Sequence, residues 1–301
     1  MNKNLKILSI FFILSFITLT KTLPEKETTT QNNFTPTQQE CPLCANGTNF
    51  YKTFSKLYGD EIKETNILLE SKNFYVATDD YPVCEGHVLI IPREHKFSYS
   101  IIDKNLETEL DAIIKTLSEV FETQQFGLFE HGSNMVDQKQ KACGNSIYHA
   151  HMHFIPQLNI THETLINICS KGNVNETIQL KDNIKSNDYR FYKRPDQTIL
   201  DFIKQLPTTT PYLFCFHSNT SKETFCIPDS AIQNNVPSQF FRRVFAEYFQ
   251  KNSTKPFWNW KIPEESLRSD SFRKAIVKKI IERFKDKTKV QAIFNKNLGK
   301  P

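Results

Sequence analysis

His149-Ala150-His151-Met152-His153-Phe154-Ile155-Pro156 puts three histidines at every second position. In an extended strand, residues i, i+2 and i+4 face the same way. The alternation therefore predicts a strand over "SIYHAHMHFIP" (146–156), with its histidines on one face and Ala150, Met152 and Phe154 entering a core on the other. Pro156 closes it. Upstream, "QFGLFEHG" (125–132) reads as a strand running into a polar loop (133–143), and "NLETELDAIIKTLSEVFET" (105–123) carries its apolar residues at helical spacing. Before these, "NFYVATDD" (73–80) and "HVLIIP" (87–92) read as strands joined by the turn residues of "YPVCEG".

Three imidazoles in register compete for protons and donors, which a passive surface does not explain. Two chemistries fit. In one, the histidines hold a Zn2+ ion that keeps an open position for water. The backbones of His149 and His153 would be about 13 Å apart on a straight strand, so two residues share an ion easily and three require a strong bend. In the other, one histidine is a nucleophile and its neighbours orient it. Gly144 and Ser146 precede the strand, where small residues let backbone N–H groups approach an anion. Asp79 ends an earlier strand, and a carboxylate there suits a ribose diol because it accepts two hydroxyl hydrogen bonds.

The chain has 301 residues, 39% hydrophobic and 24% charged, enough for a sizeable core. A net charge of +5, with both signs mixed along the chain, fits a small anionic ligand such as a nucleotide and gives no sign of a nucleic-acid partner. Lys3 and Lys6 precede "ILSIFFILSFITL". Residues 1–21 thus read as a signal peptide or an N-terminal membrane anchor, and predict the secretory pathway or the extracellular space; the alternative is a cytoplasmic protein. Residues 22–40 read as a disordered linker. Seven scattered cysteines do not form a compact disulfide framework. "CPLC" (41–44) has metal-knuckle spacing, and in an oxidising compartment it would equally serve as a redox pair or a small disulfide.

The triad, the Ser-containing loop before it and "DDYPVCEGHVLIIPREH" together resemble the histidine triad (HIT) family, over about residues 41–160. The resemblance implies an α+β fold, an antiparallel sheet with flanking helices, and nucleotidyl transfer or hydrolysis at an α-phosphorus. It implies His151 as nucleophile, with its tautomer fixed by the carbonyl of His149. His153 and Ser146 would contact the phosphate or leaving group, and Asp79 would hold the ribose. Gly144, Asn145 and Glu130 complete the expected substrate contacts, with His131 placed to assist. It also implies a structural zinc held by Cys41, Cys44, His95 and His149. A homodimer paired through its sheets is expected, unless the extension covers that face. Two other readings remain: a zinc hydrolase using triad histidines as catalytic ligands, and a non-enzymatic nucleotide-binding protein on the same fold.

Residues 161–301 predict a mixed α/β extension. It contains a short helix (194–206), a hairpin from "PYLFCFHS" (211–218) and "TFCIP" (224–228), and amphipathic helices over 237–249 and 269–286. Arg242, Arg243, Trp258 and Trp260 fall in this part. These four could contact the second half of a nucleotide, but Phe240, Phe241, Phe245, Trp258 and Trp260 are numerous enough for a packing layer, and the positions are read as core.

Overall fold

The computed structural model describes residues 41–44, 52–59, 66–132, 147, 149–160, 190–193, 203, 212–218, 223–228, 239–250 and 270–300. Eight strands form one antiparallel sheet: β1 (Ile67–Glu70), β2 (Phe74–Thr78), β3 (Val88–Pro92), β4 (Phe126–Gly132), β5 (Met152–Pro156), β6 (Arg190–Lys193), β7 (Tyr212–His217) and β8 (Glu223–Pro228). Their order is β1-β2-β3-β5-β4-β7-β8-β6. Helices α1 (Lys52–Tyr58), α2 (Glu107–Val120), α3 (Phe240–Phe249), α4 (Asp270–Arg283) and α5 (Lys287–Asn297) flank it.

The period-2 pattern sorts the two faces. Phe74, Val76, Val88, Ile90, Leu128, Met152 and Phe154 point to one side, where α2 supplies Leu110, Ile113 and Leu117, and α4 and α5 supply Ile276, Ile280 and Phe294. The other face is covered in two patches. Over β2 and β3, Tyr75, Ala77, Leu89 and Ile91 meet Cys41, Leu43 and Cys44. Over β4, β5 and β7, Phe129, Ile155, Leu213 and Cys215 meet Phe240, Phe241, Val244 and Phe245 of α3.

The expected α+β antiparallel sheet is present, and the C-terminal strands continue it. β4 pairs with β5 on one side and β7 on the other. Among the described strands, the open edges are β1 and β6.

The two halves of the sheet share a register. In β4–β5, Phe126 faces Pro156 and Phe129 faces His153. In β7–β8, Tyr212 faces Pro228 and Cys215 faces Phe225, with the same spacing. Outside them, Leu89 of β3 faces His153 and Phe191 of β6 faces Phe225. Where the halves meet, Phe129 pairs with Cys215, flanked by Gly127↔His217 and His131↔Leu213. Phe129 and Cys215 are matching positions, so a local two-fold axis passes through that pair. Ile203, a helical residue between β6 and β7, is buried in the same cluster as α2. The strand pairing of the second half thus repeats that of the first. At the positions matching His151 and His153 it has Glu223 and Phe225.

Several elements differ from expectation. The histidine strand begins only at Met152, and His149 sits in a bend before it. β1 and α5 were not anticipated. The C-terminal hairpin forms as expected, and α3 and α4 fall within the predicted helical spans. The helix expected over 194–206 lies outside the described residues except at Ile203, as do residues 1–40 and the loop 133–143.

Candidate functional site

The bend at His149 separates the first triad histidine from the other two. Its Nε2–H donates to the Pro92 carbonyl at 2.9 Å. A carbonyl only accepts, so Nδ1 keeps its lone pair, and that atom lies 3.4 Å from Cys41 Sγ and 3.5 Å from Cys44 Sγ. His95 Nδ1 lies 3.2 Å from Cys44 Sγ. These four residues could hold a metal ion: their ligand atoms lie within 4.8 Å of one another. Tetrahedral zinc with ordinary Zn–S and Zn–N bonds spaces its ligand atoms about 3.3–3.8 Å apart, close to these three sulfur–nitrogen distances. Cys41 and Cys44 are buried free thiols. Burial, with Cys41 alongside, pushes the Cys44 thiol up to about 12. A divalent cation is what would let both thiols ionise there.

His151 is tied to this group through the backbone. Its Nδ1–H donates to the His149 carbonyl at 2.7 Å, so the Nε2 lone pair is left free. Burial holds His151 below the usual imidazole range, outweighing the His149 carbonyl. The ring is therefore neutral near pH 7, and the residue is part-buried.

His153 belongs to a second cluster. Its ring stacks on Phe129, with centroids 4.1 Å apart, and meets His151 edge-on at 5.0 Å. His153 Nδ1 lies 2.8 Å from His87 Nε2. The proton in that bond can be placed. Val83 N–H donates to His87 Nδ1 at 3.2 Å, so His87 Nδ1 accepts, and its Nε2–H donates to His153 Nδ1. The remaining proton of a neutral His153 is then on Nε2. Burial lowers His87 to about 4 and holds His153 well below the usual range.

Asp79 closes the cluster. Its Oδ1 accepts from Tyr81 N–H at 2.7 Å. Its Oδ2 accepts from Arg242 Nη1, also at 2.7 Å, and lies 3.5 Å from His87 and 3.6 Å from His153. Both imidazoles are neutral, so neither of those contacts is an ion pair, and Arg242 is the counter-charge. Burial opposes ionisation of Asp79. Arg242 first, then His87 and the Tyr81 N–H, outweigh it and hold the carboxyl below its usual range. Asp79, His87 and His153 also have the composition of a three-ligand metal group. The 2.8 Å His–His hydrogen bond and the guanidinium on the same carboxylate oxygen disfavour a cation there.

The expected site residues therefore divide. Cys41, Cys44, His95 and His149 come together, as do Asp79 and His153, with His151 bridging the two groups. Glu130 is a correction. It turns to the opposite face of β4, where its carboxyl accepts from Tyr99 N–H at 2.9 Å and from the Tyr212 hydroxyl. It is 1% exposed, and burial pushes it up to about 8. The strand period that puts Phe129 and His131 beside the site sends Glu130 away from it. Gly144, Asn145 and Ser146 lie outside the described residues, as do Trp258 and Trp260. His131 shares the Phe129 face and packs on Phe241, with ring centroids 5.6 Å apart.

His87 escaped the sequence reading, and the partner of Arg242 did too. His87 enters β3 in phase with Leu89 and Ile91, and a histidine leading a buried apolar strand was its only signal. Arg242, read as core, is buried but bonded to Asp79.

The HIT domain family model matches residues 61–160. An uncharacterized HIT-like protein of Chlamydia trachomatis is 30% identical over 95 residues, covering 31% of this chain and 80% of that protein. One from Mycoplasma pneumoniae is 31% identical over 100 residues, covering 33% of this chain and 65% of the relative, so the chain spans less than two thirds of that protein's length. Adenosine 5'-monophosphoramidase of Candida albicans is 28% identical over 105 residues, covering 35% of this chain and 68% of that enzyme. The chain belongs to the HIT family through residues 61–160, with an extra C-terminal region beyond them.

Proposed function

We propose that the protein is a nucleotide hydrolase acting at an α-phosphorus through a covalent nucleotidyl-His151 intermediate. The observation that carries this reading is the His151 ring: neutral, on a part-buried residue, with Nδ1–H held by the His149 carbonyl and Nε2 therefore carrying its lone pair. Nε2 forms a bond to phosphorus as the bond to the leaving group breaks, and the leaving group takes a proton from solvent, which the attacking water gives back when the P–Nε2 bond breaks. Water then attacks the phosphorus and releases the nucleotide. A neutral imidazole is a competent nucleophile near pH 7. His153 Nε2–H is a donor for a phosphate oxygen, because His87 occupies its other nitrogen. Ser146 is assigned to the phosphate or leaving group, and Gly144 and Asn145 to the loop that approaches it.

The substrate class is a nucleoside phosphoramidate, a dinucleoside polyphosphate or a nucleotide sugar. The similarity to adenosine 5'-monophosphoramidases of two yeasts favours the first. We assign a structural zinc to Cys41, Cys44, His95 and His149. When bound, it supplies the positive charge that stabilises two buried thiolates and ties the 41–44 turn to the segment that carries His151 into β5. The N-terminal residues are assigned to secretory targeting or membrane anchoring.

The test is His151→Ala with adenosine 5'-monophosphoramidate. Turnover is abolished while AMP binding stays measurable by calorimetry. Substantial residual turnover would rule out the covalent route and favour the metal-hydrolase reading. Binding with no turnover by the native protein would leave a nucleotide-binding protein.

A further inference from the structure

The second half of the sheet has Glu223 and Phe225 where the first has His151 and His153, so it carries no second triad. It nevertheless reaches the site. α3, which follows its hairpin, packs on Phe129 and Ile155 and sends Arg242 across to Asp79. The Arg242 Nη2 also donates to the Tyr81 carbonyl. Gln250, at the end of α3, donates to the Val83 carbonyl at 3.1 Å. The turn that carries Asp79 and supplies the N–H for His87 is therefore clasped from the C-terminal half.

We propose that Arg242 is a positioning residue of the site, carried on α3 to occupy Asp79 and so keep the His87 proton on His153. Two acceptors compete for one donor. His87 has a single N–H to give, at Nε2, and two acceptors are near it. His153 Nδ1 is at 2.8 Å and Asp79 Oδ2 at 3.5 Å. A carboxylate is the stronger acceptor for an N–H, so an uncompensated Asp79 would draw that proton. Arg242 Nη1 sits on the same Oδ2 at 2.7 Å, and Tyr81 N–H takes Oδ1. With both oxygens engaged, His87 donates to His153, and His153 is fixed with its proton on Nε2. Without Arg242, His153 Nδ1 loses its donor and the ring is free to change tautomer or turn. The catalytic consequence rests on the proposed hydrolytic function; the hydrogen-bond arrangement does not.

The experiment compares native protein with Arg242→Gln, Asp79→Asn and the double variant. It reads imidazole nitrogen NMR signals alongside kcat and KM for adenosine 5'-monophosphoramidate. Native protein shows His87 and His153 each with a single tautomer, protonated at Nε2. In Arg242→Gln the His153 pattern becomes mixed, and kcat falls on the order of tenfold or more while KM changes little. An unchanged His153 pattern and unchanged kcat in a folded Arg242→Gln protein would overturn the proposal. A role exerted through Asp79 makes the pair non-additive: once Asp79 is Asn, Arg242→Gln adds little. The double variant leaves no lone buried charge, so it decides the matter if Arg242→Gln alone fails to fold. A double variant far slower than Asp79→Asn overturns the proposal. If native protein does not turn over this compound, the hydrolase reading fails for that substrate, and the NMR comparison still decides the role of Arg242.

Discussion

Glu130 and His153 lie on adjacent strands, yet they meet opposite environments because side chains alternate along a strand. Glu130 faces Tyr99 and Tyr212 under α2, and burial raises it from an ordinary 4.5 to about 8. The fold therefore favours its neutral form. Between those two values the unfolded chain has lost the proton and the folded chain keeps it, so stability falls as pH rises through that window. The expected loss is on the order of a few kcal/mol. Glu130→Gln should flatten the decline, as read by denaturant unfolding at pH 5 and pH 8. An equal slope in both proteins would show that Glu130 is ionised in the fold. At this scale the sequence exposed the histidines, cysteines and Asp79 through their spacing. It hid the proton donors. His87 meets His153 across 66 positions, and Arg242 meets Asp79 across 163, so neither contact leaves a local pattern.

Elements were legible where period and turn chemistry agreed. β2, β3 and α2 lie within their predicted spans because apolar spacing, Gly86 and Pro92 all mark them. β1 is three apolar residues and Glu70, too short to show a period, and α5 has only Val290 and Phe294 buried; both are decided by tertiary packing. The turn between β2 and β3 depends on Gly86, which has φ +88°. A Cβ there would lie 2.3 Å from Pro156 Cγ and 3.0 Å from the Phe121 ring. Gly86→Ala should cost more than about 1 kcal/mol, measured by equilibrium unfolding; a neutral effect would mean the turn re-forms with negative φ. The 41–44 turn makes a separate prediction. Metal analysis of purified protein should give one zinc per chain. Removing it with a chelator should lower Tm, and Cys44→Ser should bind less metal. A metal-free protein with unchanged Tm would contradict the structural role of the site.

For the whole molecule, the family match ends at residue 160 and the sheet does not. β7 pairs along β4, and α3 covers Phe129 and Ile155. Ending the chain at residue 160 would uncover that strand edge and an apolar patch together, a combination that promotes association. The shortened chain should be poorly soluble or associate, as seen by light scattering. A soluble, fully active 1–160 fragment would show that the second half is dispensable. The sequence revealed this half as strands and helices, and its pairing with β4 was not legible because strand partners are chosen by non-local packing.

The central claim is that His151 becomes covalently nucleotidylated. The most direct measurement is intact mass after brief incubation with a panel of adenylyl and guanylyl phosphoramidates, dinucleoside polyphosphates and nucleotide sugars, quenched early. The account predicts an added nucleotidyl mass that maps to His151 and is absent from His151→Ala. Product formed with no adduct at any quench time, and retained turnover in His151→Ala, would contradict it.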